Sequence, residues 1–244
     1  FSHCRIRLSG KVPILIFQHE VLEGLQYELI QENPSTGRVY RTPHGARYPS
    51  VSSVTGRLNQ DAIQQWRRRV GPAEANRVSS TSSARGNKLH KVCENYLNNT
   101  LSEMDVFGMD SMTTSLFNQL RPILDQRVTK VHGTEVPLYS DTLQLAGTCD
   151  ALVMWEGVLT VIDYKTAGKP KKREWIKNYF LQSTAYCLMV NERTGLRVPQ
   201  FAICIAIEGQ KDPAIYCEKT KDHLHDLHDL LVDYGTFAPK TLAG

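Results

Sequence analysis

Leu145-Ala-Gly147-Thr-Cys-Asp150-Ala-Leu-Val-Met-Trp155-Glu-Gly157-Val-Leu-Thr-Val-Ile-Asp163-Tyr-Lys165-Thr166 is the stretch on which the reading of this chain turns. Two short segments rich in β-branched or aromatic residues flank a turn-like Glu156-Gly157, the pattern of an antiparallel hairpin. Side chains alternate along a strand, so Asp163 and Lys165 project to one side and Tyr164 to the other. Asp150 comes from the partner strand. The hairpin can therefore bring two carboxylates and an ammonium together.

Two close carboxylates repel unless something positive lies between them. Mg²⁺ does this well, because it takes oxygen ligands and is usually held by one or two carboxylates plus substrate phosphates. A lysine beside such an ion would hold or help deprotonate an attacking water, or meet charge growing on a phosphate. An isolated Asp-x-Lys pair is an ordinary surface feature, since charges at strand ends are common. Here it stands in an ordered series: Gly147-x-x-Asp150, then Ile162-Asp163-Tyr164-Lys165, then Gln182-x-x-x-Tyr186. Four residues apart, Gln182 and Tyr186 share a helix face. Upstream, Arg85-Gly86 is followed by His90 and Glu94. Together these motifs resemble the PD-(D/E)XK nuclease superfamily, in particular its RecB-type branch.

That resemblance implies a set of roles. Asp150 and Asp163 hold one or two Mg²⁺ or Mn²⁺ ions, joined by the carbonyl of Tyr164 and by His90, and Lys165 positions the attacking water. An imidazole suits Mn²⁺, which accepts nitrogen more readily than Mg²⁺ does. Glu94, one turn on, either supports that imidazole or pairs with Lys91 or Lys88. Glu135, in Glu135-Val-Pro-Leu138, either helps bind metal or substrate or pairs with a base. Gln182 reaches back to the metal site, and Tyr186 meets the nucleic acid or a neighbouring loop, or simply packs in the core. Arg85, Thr166, Lys169, Lys171, Lys172 and Arg173 are the expected DNA contacts. The string Gly37-Arg-Val-Tyr-Arg-Thr-Pro-His-Gly45 through residues 48–54 resembles the leader of phage nucleases and of mitochondrial genome maintenance exonucleases. Ser52 or Ser53 stands where that leader has Thr, and either contacts a phosphate or caps a helix. Some superfamily members carry an iron–sulfur cluster on a tight cysteine trio near the C-terminus. The six cysteines here (Cys4, Cys93, Cys149, Cys187, Cys204, Cys217) form no CxxC pair, so no cluster is expected.

The 244 residues suffice for one sizeable domain or two small ones, and 41% hydrophobic content supports a packed core. A net charge of +4 permits a polyanionic partner without demanding one. The distribution says more: Arg67-Arg68-Arg69 and the basic run at 169–173 are local clusters, the first as readily a solvated face as a DNA contact. No stretch approaches the roughly 18 apolar residues of a membrane span. Residues 1–17 are basic and free of acids, faintly like a targeting segment. Cysteines in apolar surroundings suit a reducing compartment: a bacterial host's cytoplasm if the chain is phage-encoded, mitochondria if it is a eukaryotic relative.

Pro49-Ser50 reads as a helix start. A helix over residues 59–70 places Ile63, Trp66 and Val70 on one face, with Trp66 in the core. A second helix begins at Pro72, with a break near the serine run 79–83. A further helix covers about 111–126 with Leu116, Leu120 and Ile123 on its stripe. Glu135 opens the first strand of the hairpin region, a helix runs from Arg173 to about Asn191, and residues 201–207 and 214–218 are strands. The His-rich segment 222–229 reads as an amphipathic helix, with Leu224, Leu227 and Leu231 buried and His223, Asp226 and Asp229 facing solvent.

The fold expected is α/β: a small mixed sheet flanked by helices, with an N-terminal helical portion. It forms a single nuclease domain over 1–244, with a lead-in to about 84 and a catalytic core over about 85–235. The function expected is metal-dependent hydrolysis of DNA by an exonuclease preferring single-stranded ends, in replication, repair or recombination, with no membrane partner. Two alternatives stay open: a nucleic-acid-binding module on this fold without catalysis, and a double-strand endonuclease.

Overall fold

The structure is a computed structural model and describes residues 16–35 and 37–236. Cys4, the basic start of the chain and the tail beyond 236 lie outside the described residues. In chain order come β1 (Gln18–His19), β2 (Ile30–Glu32), β3 (Val39–Arg41), β4 (Arg47–Pro49), α1 (Val51–Thr55), α2 (Gln60–Val70), α3 (Pro72–Leu97), α4 (Glu103–Gly108) and α5 (Ser111–Arg127). There follow β5 (Val128–Ser140), β6 (Leu145–Trp155), β7 (Val158–Ala167), α6 (Lys177–Thr194), β8 (Gln200–Ile207), β9 (Ala214–Lys219) and α7 (Leu224–Tyr234).

The hairpin is β6–β7. Glu156 and Gly157 both take positive φ, 51° and 82°, and such a turn matches the twist of the flanking strands. Pairing runs from Trp155↔Val158 to Ala151↔Ile162 and ends there, so the strands part just before Asp150 and Asp163. Six strands lie in the order β1-β5-β6-β7-β8-β9. The β1–β5 and β7–β8 pairs are parallel, the rest antiparallel. The sheet is mixed, as expected, and residues 201–207 of β8 are all buried within it.

Alternation along β7 sorts its side chains between two cores. Val161 and Ala167 join the core made with α1, α6 and α7, whereas Ile162 and Tyr164 join the one made with α3 and α5. Each large apolar side chain so buried contributes about 1.5–3 kcal/mol relative to exposure. Asp163 and Lys165 share the parity of Val161, which turns them toward α6. A second sheet, β2-β3-β4, is held against the first by a bridge between Ser50 and Ala146 and by Tyr40 packing with Tyr139.

Several expectations need correction. β5 begins seven residues before Glu135; irregularities between Val128 and Lys130 and between Val131 and Gly133 break its period-two pattern. α3 runs unbroken through residues 79–83 and past 84, because those hydroxyls are mostly exposed and both flanks are helical. Trp66 is only half-buried and Ile63 is 49% exposed. α2 lies against the polar start of α3, where Ala75 is the one buried residue, so its apolar stripe has little to pack on. A short 3-10 turn at Arg173–Ile176 precedes α6. At the C-terminal end another such turn, Thr220–His223, resets the helical phase. His223 is consequently buried against Phe180 and Phe201, while Leu224 is exposed and Leu230 is buried with Leu227 and Leu231.

Candidate active site

Where β6 and β7 part, side chains replace the missing ladder. Asp150 Oδ2 accepts from the Tyr164 backbone N–H at 2.7 Å. The Tyr164 carbonyl lies 2.7 Å from His90 Nε2, whose other ring nitrogen is 3.3 Å from Asp150 Oδ1. His90 reaches this point because its neighbours Leu89 and Cys93 on α3 are fully buried, fixing the helix face. A ring protonated on both nitrogens donates to both partners, so it links the two strands much as a cation would.

On the adjoining face of β7, Lys165 Nζ donates to Asp163 Oδ1 at 2.6 Å and Gln182 Nε2 donates to the same oxygen at 3.0 Å. The Asp163 side chain is 2% exposed, and its Oδ2 is buried without a hydrogen-bond partner among the described residues. A buried carboxylate oxygen left unpaired is costly. Burial pushes the Asp163 carboxyl up to about 6, against the opposing pull of Lys165. Burial also raises Glu135, with Asp150 adding to the effect. For Asp150 the balance tips the other way: burial pushes up, but His90 and Lys165 outweigh it and hold the carboxyl below its usual range. Burial works against charge on His90 and Lys165 too, and the carboxylates around them outweigh it, raising both.

Glu135 sits in β5 between the pairs Thr134↔Ala151 and Val136↔Cys149, so it faces Asp150. Its φ of 47° is unusual for a residue with a side chain, a strain of about 1–3 kcal/mol that persists where the surroundings impose it. Ligand atoms of His90, Glu135 and Asp150 all lie within 4.8 Å of one another. One nitrogen and two carboxylates at that spacing fit a divalent cation that accepts oxygen and nitrogen, and Asp163 is outside this group of three.

His90, Glu135, Asp150, Lys165 and Gln182 line a cavity of about 460 Å³, whereas Asp163 and Tyr164 are not among its lining residues. One wall is the polar face of α3, Asn87, His90, Lys91 and Glu94; Gly147, Thr148, Gln182 and Tyr186 line the cavity from β6 and α6; Gln31, Arg38, Tyr40, Ser50 and Ser52 come from the small sheet and α1. The 87-90-91-94 spacing was readable as one helix face. Arg38 and Tyr40 lay inside the quoted leader string but carried no pattern of their own. Glu94 pairs with Lys91 at 2.9 Å. It is Ser50 that caps α1, accepting from the Ser53 N–H at 3.0 Å, while Ser53 Oγ accepts from Ser50 Oγ and Ser52 faces the cavity.

The expected DNA contacts divide. Arg85 is turned inward, 13% exposed, donating to Thr166 Oγ1 and ion-paired with Glu208. Arg173 forms two hydrogen bonds with Glu218, at 2.5 and 2.8 Å. Lys171 donates to the Tyr179 hydroxyl at 2.6 Å, and Lys172 lies over Trp175. Lys169 is exposed. Cys93, Cys149, Cys187 and Cys204 are buried free thiols, and Cys217 is exposed. Among the described residues, no helix is long and apolar enough to cross a membrane.

An α/β fold with acids and a lysine at the frayed end of a central hairpin is a nuclease architecture. Residues 53–235 match the model of the PD-(D/E)XK nuclease superfamily, and the chain belongs to that superfamily. It is similar to mitochondrial genome maintenance exonuclease 1 of Homo sapiens, 28% identical over 161 residues, which is 59% of this chain and 45% of that protein. The chain thus spans about half the length of this curated relative. Members of the superfamily use divalent metals, and the donor set described here suits one.

Proposed function

We propose that the protein is a divalent-metal-dependent deoxyribonuclease of exonuclease type, acting on single-stranded DNA ends during replication, repair or recombination. The observation that carries the reading is the buried Asp163 oxygen without a partner among the described residues, on a carboxylate held by the Lys165 ammonium, which lines the same cavity as the His90, Glu135 and Asp150 donors. A divalent Mg²⁺ or Mn²⁺ ion bound here supplies polarisation of the phosphodiester and stabilisation of the leaving oxygen. Asp150, Asp163, the Tyr164 carbonyl and His90 are its holders, with Glu135 alongside. Lys165 orients the attacking water, and Gln182 keeps Asp163 turned toward it. Tyr186, Ser52 and the exposed lysines steer the strand. Residues 85–235 act as the catalytic core, and the small sheet and α1 supply part of the cavity wall, in one nuclease domain. Buried free thiols suit a reducing compartment, such as mitochondria or the cytoplasm of a bacterial host.

The test compares Lys165→Ala with the unaltered protein on end-labelled single-stranded, duplex and flap DNA with Mg²⁺ and with Mn²⁺. Unchanged DNA affinity with cleavage abolished is expected. Cleavage by neither protein under either metal would favour a binding module, and digestion of circular single strands would favour an endonuclease.

A further inference from the structure

α6 carries a row of polar side chains at helical spacing, Tyr179, Gln182 and Tyr186 at i, i+3 and i+7, of which Gln182 and Tyr186 line the cavity. Tyr186 lies against Gly147 of β6 and Gln182 holds Asp163. Tyr179 is the next member outward, and its ring has Lys165 Nζ 5.1 Å from its centroid. A second ammonium, Lys171 Nζ, lies 5.0 Å from the same centroid and donates to the Tyr179 hydroxyl at 2.6 Å.

The two lysines differ in how their charge is met. Lys165 is neutralised by Asp163. Lys171 is half-buried, and no carboxylate pairs with it among the described residues. An unpaired lysine normally swings free in water. This one is fixed by its hydrogen bond to a phenol. The phenol oxygen accepts from Lys171, which leaves its own hydrogen available to a further acceptor. Tyr179 and Lys171 do not line the cavity, whereas Lys165 does. They adjoin Lys165 through the Tyr179 ring.

We propose that Lys171, held by Tyr179, binds the phosphate adjacent to the scissile one, and that Tyr179 is a positioning residue setting this ammonium beside that of Lys165. The proposal rests on the nuclease reading with Lys165 at the reacting phosphate. Its occupant is a flanking phosphodiester of the same strand. The Tyr179 hydroxyl donates to one of that phosphate's oxygens, and the ring beneath Lys165 keeps the two charges in register.

The test is digestion of short end-labelled single-stranded oligonucleotides in which an uncharged methylphosphonate replaces the linkage on either side of the scissile bond. On the unaltered protein the neutral linkage should lower kcat/KM by about tenfold on one side, the scale of a lost charge-assisted hydrogen bond. Lys171→Gln should already have lost that factor, mainly in KM, and respond little further to the same substitution. Lys171→Arg should restore most of it. Tyr179→Phe should behave like Lys171→Gln, because the ring remains under Lys165 while the anchor is gone. A Lys171→Gln variant that responds to both neutral linkages as fully as the parent overturns the proposal and leaves the nuclease reading standing. If Lys171→Gln does not fold, the unaltered protein still decides: indifference to a neutral linkage on both sides overturns it. A parent that cuts no DNA with either metal removes both readings together.

Discussion

The Tyr186 hydroxyl occupies the space where a side chain on Gly147 would begin. A Cβ built on Gly147 would lie 2.8 Å from that oxygen and 3.1 Å from the ring. The glycine of Gly147-x-x-Asp150 is thus needed for the close approach of α6 to β6, three residues from a proposed metal ligand. Gly147→Ala should displace Tyr186, lower stability by about 1–3 kcal/mol as overpacking does, and reduce cleavage more than DNA affinity. Adding Tyr186→Phe removes the nearest clash and should recover part of the lost stability. Denaturant melts and cleavage rates of the two single variants and the double measure the coupling; strictly additive losses would refute the contact.

Gln182 is the hydrogen-bond partner that Asp163 Oδ1 has besides Lys165. Its removal leaves the carboxylate with a single donor and freedom to turn. Gln182→Leu should lower kcat by about tenfold or more, the cost of loosening a catalytic group, with little change in DNA affinity. Gln182→Glu should do worse, because a second carboxylate would face Asp163. Rates measured at saturating substrate check both; a Gln182→Leu variant with normal kcat removes the positioning role.

How much of this was legible before folding depends on the range of the interaction. Asp163 and Lys165 could be placed on one side of a strand because alternation is a local property, and Glu156-Gly157 announced its own turn. His90 and Asp150 could be linked only through the order of motifs. Nothing local told that the strands would separate at Asp150 or that Glu135 would face it, since irregularities in β5 hid seven residues of strand. Arg173 looked like a free cation because its partner, Glu218, lies 45 residues away. Trp66 looked like core because amphipathic spacing is necessary for burial but does not supply a neighbour. His223 looked solvent-facing because a 3-10 turn shifts the helical phase without a sequence signal.

Arg173 and Lys169 should therefore separate by experiment. Arg173 holds Glu218 below the ordinary carboxylate value of 4.5, chiefly through its hydrogen bonds. A depressed folded pKa contributes stability fully present above about pH 4.5 and lost as pH falls through the folded value. Glu218→Gln should lower the thermal midpoint modestly near pH 7, the pair being partly exposed, and the difference should vanish in strong acid. Arg173→Gln should show the same pH pattern. Lys169→Gln should leave the midpoint alone and weaken DNA binding, reducing the salt dependence of Kd by about one counterion. A Lys169→Gln variant with the parent's salt slope would show that this lysine meets no phosphate.

Metal binding should be visible without catalysis. An ion that binds the folded chain and not the unfolded one raises stability by mass action, about 2.7 kcal/mol at a hundredfold excess over Kd. Mn²⁺ should raise the thermal midpoint of the DNA-free protein, and Mg²⁺ should do so at higher concentration, because the site offers one nitrogen among oxygens. His90→Ala should blunt the Mn²⁺ effect more than the Mg²⁺ effect, whereas Glu135→Gln should weaken both. Asp163→Asn removes the ionised oxygen left without a partner. It should abolish most of the gain on adding either ion, since it deletes a ligand, and it should lower the stability of the metal-free protein, since Lys165 loses the carboxylate that neutralises it. Chelator-treated samples titrated with each metal, followed by calorimetry, make the comparison. A full metal-induced shift in Asp163→Asn would mean that the ion sits elsewhere and that Asp163 serves only to hold Lys165.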